Sequence, residues 1–159
     1  MRGGILNIHK SLTDGGKFAA AVWSTADKVP QLSIPINIAR SETNTQLPPP
    51  DTPGPFVSAD QKLLYTVFES AGFRDMQLEK VNVTFKFDTA ENFTKFTQDI
   101  AAPVNAILKN QSKNRSEKIW NKITQEVTRY TTNTTITDSS NSEGQVTLNN
   151  EAICIVGIK

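Results

Sequence analysis

The chain has 159 residues, with Lys+Arg at 17 against Asp+Glu at 16, one histidine and one cysteine. That length fits one domain burying roughly two-thirds of the surface of its unfolded chain, and the scattered, nearly balanced charge offers no footprint for nucleic acid or an anionic membrane. A single cysteine excludes an intrachain disulfide, and no apolar stretch approaches the about 18 residues that span a bilayer, so a reducing cytoplasm is the expected setting.

Ile5, Ile8 and Leu12 recur at helical spacing, and Asp14-Gly15-Gly16 supplies the turn that ends this first helix. The run Phe18-Ala19-Ala20-Ala21-Val22-Trp23 is apolar without alternation, which suits a strand covered on both faces. From Ser24 to Pro55 the chain holds seven of its eight prolines, including Pro48-Pro49-Pro50. Prolines at that density interrupt regular structure. A long excursion is expected here, a lid-like segment over 24–57 with at most a short helix near Gln31 to Ala39.

Ser58-Ala59-Asp60-Gln61 fits a capping box, and Leu63, Leu64, Val67, Phe68 and Ala71 follow on one helical face until Gly72. Between Met76 and Phe87 the pattern turns to alternation, with Val81, Val83, Phe85 and Phe87 on one side, which marks a half-exposed or edge strand. Asp88-Thr89-Ala90-Glu91 reads as a second capping box, opening a helix with Phe93, Phe96 and Ile100 inward. Pro103 starts a short helix, and a polar bridge over 109–115 leads to a longer one burying Ile119, Trp120, Ile123, Val127 and Tyr130. Thr131 to Gly144 is a Ser/Thr/Asn tract expected as an exposed loop. Two short strands, Gln145 to Leu148 and Ala152 to Ile158, close the chain, with Cys154 expected as a packed core thiol. Five Asn-x-Ser/Thr triplets begin at Asn82, Asn92, Asn110, Asn114 and Asn133; without a secretory signal they carry little weight.

The succession of a helix running into Leu12-Thr13-Asp14-Gly15-Gly16, a strand ending at Trp23, a helix ending in Ala71-Gly72-Phe73 and the closing strand Ile155-Val156-Gly157-Ile158-Lys159 resembles the back half of class I S-adenosylmethionine-dependent methyltransferases. The group is that of the ubiquinone/menaquinone biosynthesis enzymes and their type 11 small-molecule relatives. Asp14 stands where the family usually has proline, while Leu12, Gly15 and Gly16 match. The resemblance implies an α/β fold, α+β as a fragment: a partial Rossmann-like sheet of about three main strands over residues 1–159. In it the final strand is antiparallel between the family's fifth and sixth, and the helices of 88–130 are a substrate-covering insertion.

Complete members hold the cofactor with a glycine-rich turn after the first strand and an acidic residue after the second, as other doubly wound nucleotide-binding folds do. None of the eight glycines here forms such a turn, so the cofactor-binding half is expected to be missing, no S-adenosylmethionine to be bound by this chain alone, and no catalytic or metal-ligating residue to be assigned. The substrate-contacting candidates are Trp23, Phe56 and Trp120. Trp23 closes a strand beside the implied substrate cavity or is ordinary core. Phe56 lines the same cavity or staples the capped helix. Trp120 belongs to an aromatic set, with Phe93, Phe96 and Tyr130, that packing explains and that could also enclose an apolar pocket. His9 reads as a packing residue. The implied function is that of a methyltransferase fragment acting on a small molecule and inactive alone; the alternative is a small module that binds an apolar ligand or self-associates. The strand of Phe18 to Trp23, lacking its neighbour from the other half, would expose an unblunted edge, and a homodimer through that edge is expected.

Overall fold

The computed structural model describes residues 2–47, 49, 52–132 and 144–159. The chain is mixed α/β: α1 (Arg2–Ser11), β1 (Lys17–Trp23), α2 (Pro30–Thr43), α3 (Gln61–Ser70), β2 (Arg74–Phe87), α4 (Ala90–Ile100), α5 (Ala102–Leu108), α6 (Lys113–Val127), β3 (Thr131–Thr132) and β4 (Gln145–Ile158). The strands form one sheet in the order β1-β4-β2, with β3 paired to the start of β4. β4 runs antiparallel to β1, from Lys17 opposite Ile158 to Trp23 opposite Ala152. The last strand therefore lies between the two earlier ones, the position that the resemblance implies for it. Where two closing strands are expected, β4 is one continuous strand of 14 residues, because the polar stretch Asn149-Asn150-Glu151 stays extended and bonds to its neighbours through side chains.

By contacts the residues cluster into two compact units: Met1–Val29, Pro49–Val83 and Glu151–Lys159 in the first, Pro30–Pro48 and Thr84–Asn150 in the second. The Ser/Thr/Asn tract expected as a loop lies, at 133–143, outside the described residues, as does its Asn133 triplet.

In the first unit, one face of the sheet is covered. Phe18, Ala20 and Val22 of β1, Ile153 and Ile155 of β4 and Met76 and Leu78 of β2 pack with Leu64, Phe68, Ala71 and Phe73, and Ile5, Ile8 and Leu12 of α1 join them. Phe18 stacks on Phe68 with ring centres 5.5 Å apart. β1 departs from the expectation of two covered faces: Ala19 and Ala21 are exposed, so the strand alternates in environment although not in chemistry. Cys154 likewise leaves the core, because Ile153 and Ile155 on either side of it take the covered face. Gly157 has its own reason: a Cβ there would come within 2.9 Å of the Phe73 Cβ, so its absence makes room for the ring opposite Phe18.

The helix ends are set by short-range chemistry. The cap of α3 is Asp60 rather than Ser58, its carboxylate accepting from the Lys62 and Leu63 amides at 2.9 and 3.2 Å. A carboxylate one residue before the helix reaches these orphan amides directly, which displaces the serine three residues upstream. At the other end Phe73 N–H donates to Phe68 C=O and Gly72 N–H to Glu69 C=O, with the Phe68 and Phe73 rings 5.3 Å apart. This is a Schellman closure, and Gly72 takes its left-handed conformation at φ 100°. The positive φ in the first turn falls on Gly15 (78°). Gly16 is needed for a different reason, since a Cβ there would meet the Thr13 carbonyl at 2.8 Å.

The second unit is built on α2, α4, α5 and α6. The excursion after β1 is more regular than its prolines suggest: α2 spans 14 residues with Pro35 inside it. Pro30 starts α2 and so forfeits no helical bond. Pro35 is buried with Gln31, Ser33, Ile36 and Ala39, so packing against α5 and α6 offsets the bond it removes. The α4 cap is Thr89, not Asp88. Its buried face is also rotated from the expected one. Ala90, Phe93, Thr94 and Thr97 are buried, while Phe96 and Ile100 are 37% and 53% exposed. The two threonines can be buried because each hydroxyl donates to the carbonyl four residues back, at 3.0 and 2.8 Å. In α6, capped by Ser112, Ile119, Ile123 and Val127 are buried as expected, whereas Trp120 is half-buried and Tyr130, beyond the helix, is exposed.

His9 sits edge-on to Phe73 at 4.9 Å and covers Gly72, where an added Cβ would stand 3.0 Å from the imidazole. Gly72→Ala is therefore expected to cost up to about 3 kcal/mol, and less in a His9→Ala background, where only the left-handed backbone penalty of about 1–2 kcal/mol remains. Urea denaturation of the four proteins measures the difference; equal losses in the two backgrounds would show that the ring takes no part.

Candidate functional site

The face of the first unit's sheet opposite α1 and α3 carries Ala19 and Ala21 of β1, Cys154 and Val156 of β4 and Gln77 and Glu79 of β2. They line an open cavity of about 580 Å³. Its floor is small and apolar because Ala21 stands opposite Cys154 and Ala19 opposite Val156, and its rim on β2 is polar. Such a surface suits an apolar group or another backbone at close approach; it holds no acid–base pair or nucleophile with its base.

Trp23, at the end of β1, is half-buried opposite Ala152. Phe56 is half-buried in the turn before α3, its carbonyl accepting from the Ala59 amide at 3.1 Å. Both belong to the first unit, while Trp120, on α6, belongs to the second. None of the three lines the cavity above.

Directly after Trp23, the chain makes a polar brace that the sequence does not reveal. Ser24, which is 3% exposed, donates its hydroxyl to Glu151 Oε1 at 2.7 Å, and its backbone N–H donates to the Glu151 carbonyl at 3.0 Å. Lys80 Nζ lies 3.0 Å from the same carboxylate oxygen. One glutamate thus ties together β1, β4 and β2 at the end of the covered sheet. The Ser24 hydrogen bond, followed by that from Lys80, holds the Glu151 carboxyl below the usual carboxylate range. Asp27 is also lowered, chiefly by its hydrogen bond with Thr25. A carboxylate held low is a poor base at neutral pH, and a covered serine whose proton is engaged by it is not an activated nucleophile. The cluster is a structural brace. Its members lie 56 and 71 positions apart along the chain, and nothing local marks them as partners.

The second unit has a counterpart one residue earlier. Asn150, 1% exposed, accepts the Gln31 backbone N–H at 3.0 Å and donates to the Leu148 carbonyl at 3.1 Å. A side chain from the sheet thereby satisfies one of the orphan amides at the start of α2. Between α2 and α6 lies a polar groove of about 440 Å³ lined by Ser41, Glu42, Lys122, Glu126 and Arg129. Its charges are paired with each other, Glu42 with Lys122 and Glu126 with Arg129.

A carboxyl group whose folded pKa is depressed contributes stability that is complete above its unfolded value, about 4.3 for glutamate, and is lost as the pH falls through the folded value. Stability is therefore expected to decline below about pH 5, and Glu151→Gln, which cannot ionise, is expected to flatten that decline while lowering stability at pH 7. Thermal melts of both proteins from pH 7 to pH 3 check this; parallel profiles would mean that the brace does not contribute to the acid limb.

Compared with known proteins, the sequence matches no family model, and no curated protein matches it.

Proposed function

We propose that this chain represents the carboxyl-terminal half of a class I S-adenosylmethionine-dependent methyltransferase fold acting on a small molecule, and that these residues do not transfer a methyl group by themselves. The observation that carries the reading is the sheet order β1-β4-β2, in which the last strand enters antiparallel between the two earlier ones. That arrangement is what the resemblance implies for the family's fifth, seventh and sixth strands. Two turns support it: Gly15-Gly16 before β1, closed by the Lys159 backbone bonding to both glycines, and Ala71-Gly72-Phe73 before β2. Among the described residues no glycine-rich turn follows a strand, the feature through which bare backbone would approach a cofactor. In this reading S-adenosylmethionine belongs to the complete fold, and Trp23, Phe56 and Trp120 are its substrate-side aromatics.

The open cavity over Ala19, Ala21, Cys154 and Val156 favours a second reading, a non-catalytic module that holds an apolar ligand or a second copy of itself on this face. A cytoplasmic homodimer is the form proposed for it.

The expected outcome of titrating the isolated chain with S-adenosylmethionine in a calorimeter is no saturable heat. Binding at micromolar affinity would overturn the assignment of these residues to the half without the cofactor.

A further inference from the structure

We propose that the open cavity on the sheet face of the first unit binds a flat aromatic molecule carrying a positive charge, the ring on the alanine floor and the charge at Glu79. The assignment rests on the second reading above, in which this face holds an apolar ligand, and it names the class of that ligand.

The floor is shaped for a plane. Ala21 stands opposite Cys154 and Ala19 opposite Val156, so four side chains no larger than valine form two adjacent cross-strand pairs. Neighbouring strands lie about 4.8 Å apart, and residues two apart on one strand about 7 Å. The four positions therefore underlie an area close to that of one or two fused aromatic rings. A flat body touches all of them at once, whereas a branched one rests on two. Ala19 and Ala21 are exposed and Cys154 and Val156 half-buried, so a ring laid on them removes apolar surface from water.

The charge comes from β2. Met76 packs against Gly157, its Cγ 3.3 Å from where a Cβ on that glycine would stand, so the residues after Met76 run beside those before Gly157. Gln77 and Glu79 alternate with Met76 and Leu78, which join the covered core, and their side chains therefore rise on the open face beside the floor. Neither side chain is engaged in a hydrogen bond or ion pair among the described residues. The rim thus offers a carboxylate and an amide oxygen to the N–H donors of a cation. Lys17 lies two residues before Ala19 on β1, on the far side of β4 from β2, so a positive group is drawn to the β2 side of the floor. An anion would meet Glu79, and a neutral ring gains only the floor; charge complementarity selects the cation.

The test uses the full chain with naphthylmethylamine as the probe, and with naphthalenemethanol and naphthoate as its neutral and anionic counterparts. Cys154, the chain's single cysteine, reports occupancy through its rate of reaction with methyl methanethiosulfonate, a neutral thiol reagent. Saturable slowing is expected, with the amine half-effective at about fivefold lower concentration than the alcohol, the scale of one exposed ion pair, and with naphthoate the weakest. Glu79→Gln is expected to bring amine and alcohol together, and Glu79→Lys to place naphthoate ahead of both. Equal slowing by all three, unchanged in Glu79→Gln, would overturn the charge assignment while leaving an apolar ligand on this face. A rate that none of the three affects would overturn the site itself, and a rate that falls with protein concentration alone would put a second copy there instead. None of these outcomes bears on the cofactor titration.

Discussion

β4 is the constraint on which both units depend. It is hydrogen-bonded on each side, to β1 and to β2, and its residues belong to both units, with the division falling between Asn150 and Glu151. These two neighbours point their side chains to opposite faces of the sheet, as successive strand residues must. Asn150 accepts the first free amide of α2 in the second unit, and Glu151 gathers Ser24 and Lys80 in the first. Two adjacent polar residues therefore fix one helix start and one strand end. The cost of placing them in covered positions is offset because each has partners for its acceptor oxygen.

The order of the chain gives this constraint a kinetic side. Ala20 pairs with Ile155 and Phe18 with Gly157, contacts that close loops longer than a hundred residues. Until β4 arrives, β1 lacks the strand it pairs with, while α3 with its capped start and Schellman end, and α6 with its Ser112 cap, can form from local bonds. The helices are thus locally determined and the sheet is not. Lys159 completes the insertion: its backbone bonds to Gly15 and Gly16 and its Nζ donates to the Leu12 carbonyl at 2.6 Å, so the last residue locks the first turn.

What the sequence disclosed follows the same division. Helical periodicity located α1, α3, α5 and α6, and alternation located β2 at an edge, because those patterns arise within a few residues. The errors lie where a distant partner decides. Proline density limited the reading of α2 to at most a short helix near Gln31 to Ala39, whereas its buried face, packed against α5 and α6, extends it over Pro30–Thr43. The exposure of Phe96 and Ile100 follows from the choice of Thr94 and Thr97 as the buried positions; their hydroxyls are satisfied within the helix, and Thr94 also bonds to Thr124 of α6 at 2.7 Å. Of the candidate site, Trp23 is placed at the end of β1 as its position in the run implies, but the brace beside it, Ser24 with Glu151 and Lys80, carries no periodic or motif signature. Residues that meet across a sheet leave no local trace in the chain.

The composition of β1 is most informative where it disagrees with its surroundings. Phe18, Ala20 and Val22 are apolar because they face Phe68 and Phe73, yet Ala19 and Ala21 are apolar while exposed, and Cys154 and Val156 opposite them are of the same kind. β2, also an edge, shows how a solvated face is composed: Gln77 and Glu79 lie on it where β1 has alanines. Two edges of one sheet thus differ in chemistry, one polar and water-facing, the other suited to contact. Scattered exposed apolar residues need no explanation, but a contiguous set in register on neighbouring strands is the composition of a surface that is covered in use. Both readings of the molecule, half of a larger fold and a module that holds an apolar ligand or a second copy of itself, place a partner against this part of the sheet. They differ in what lies there: the rest of the fold in the first case, and in the second a ligand or a second copy of this chain.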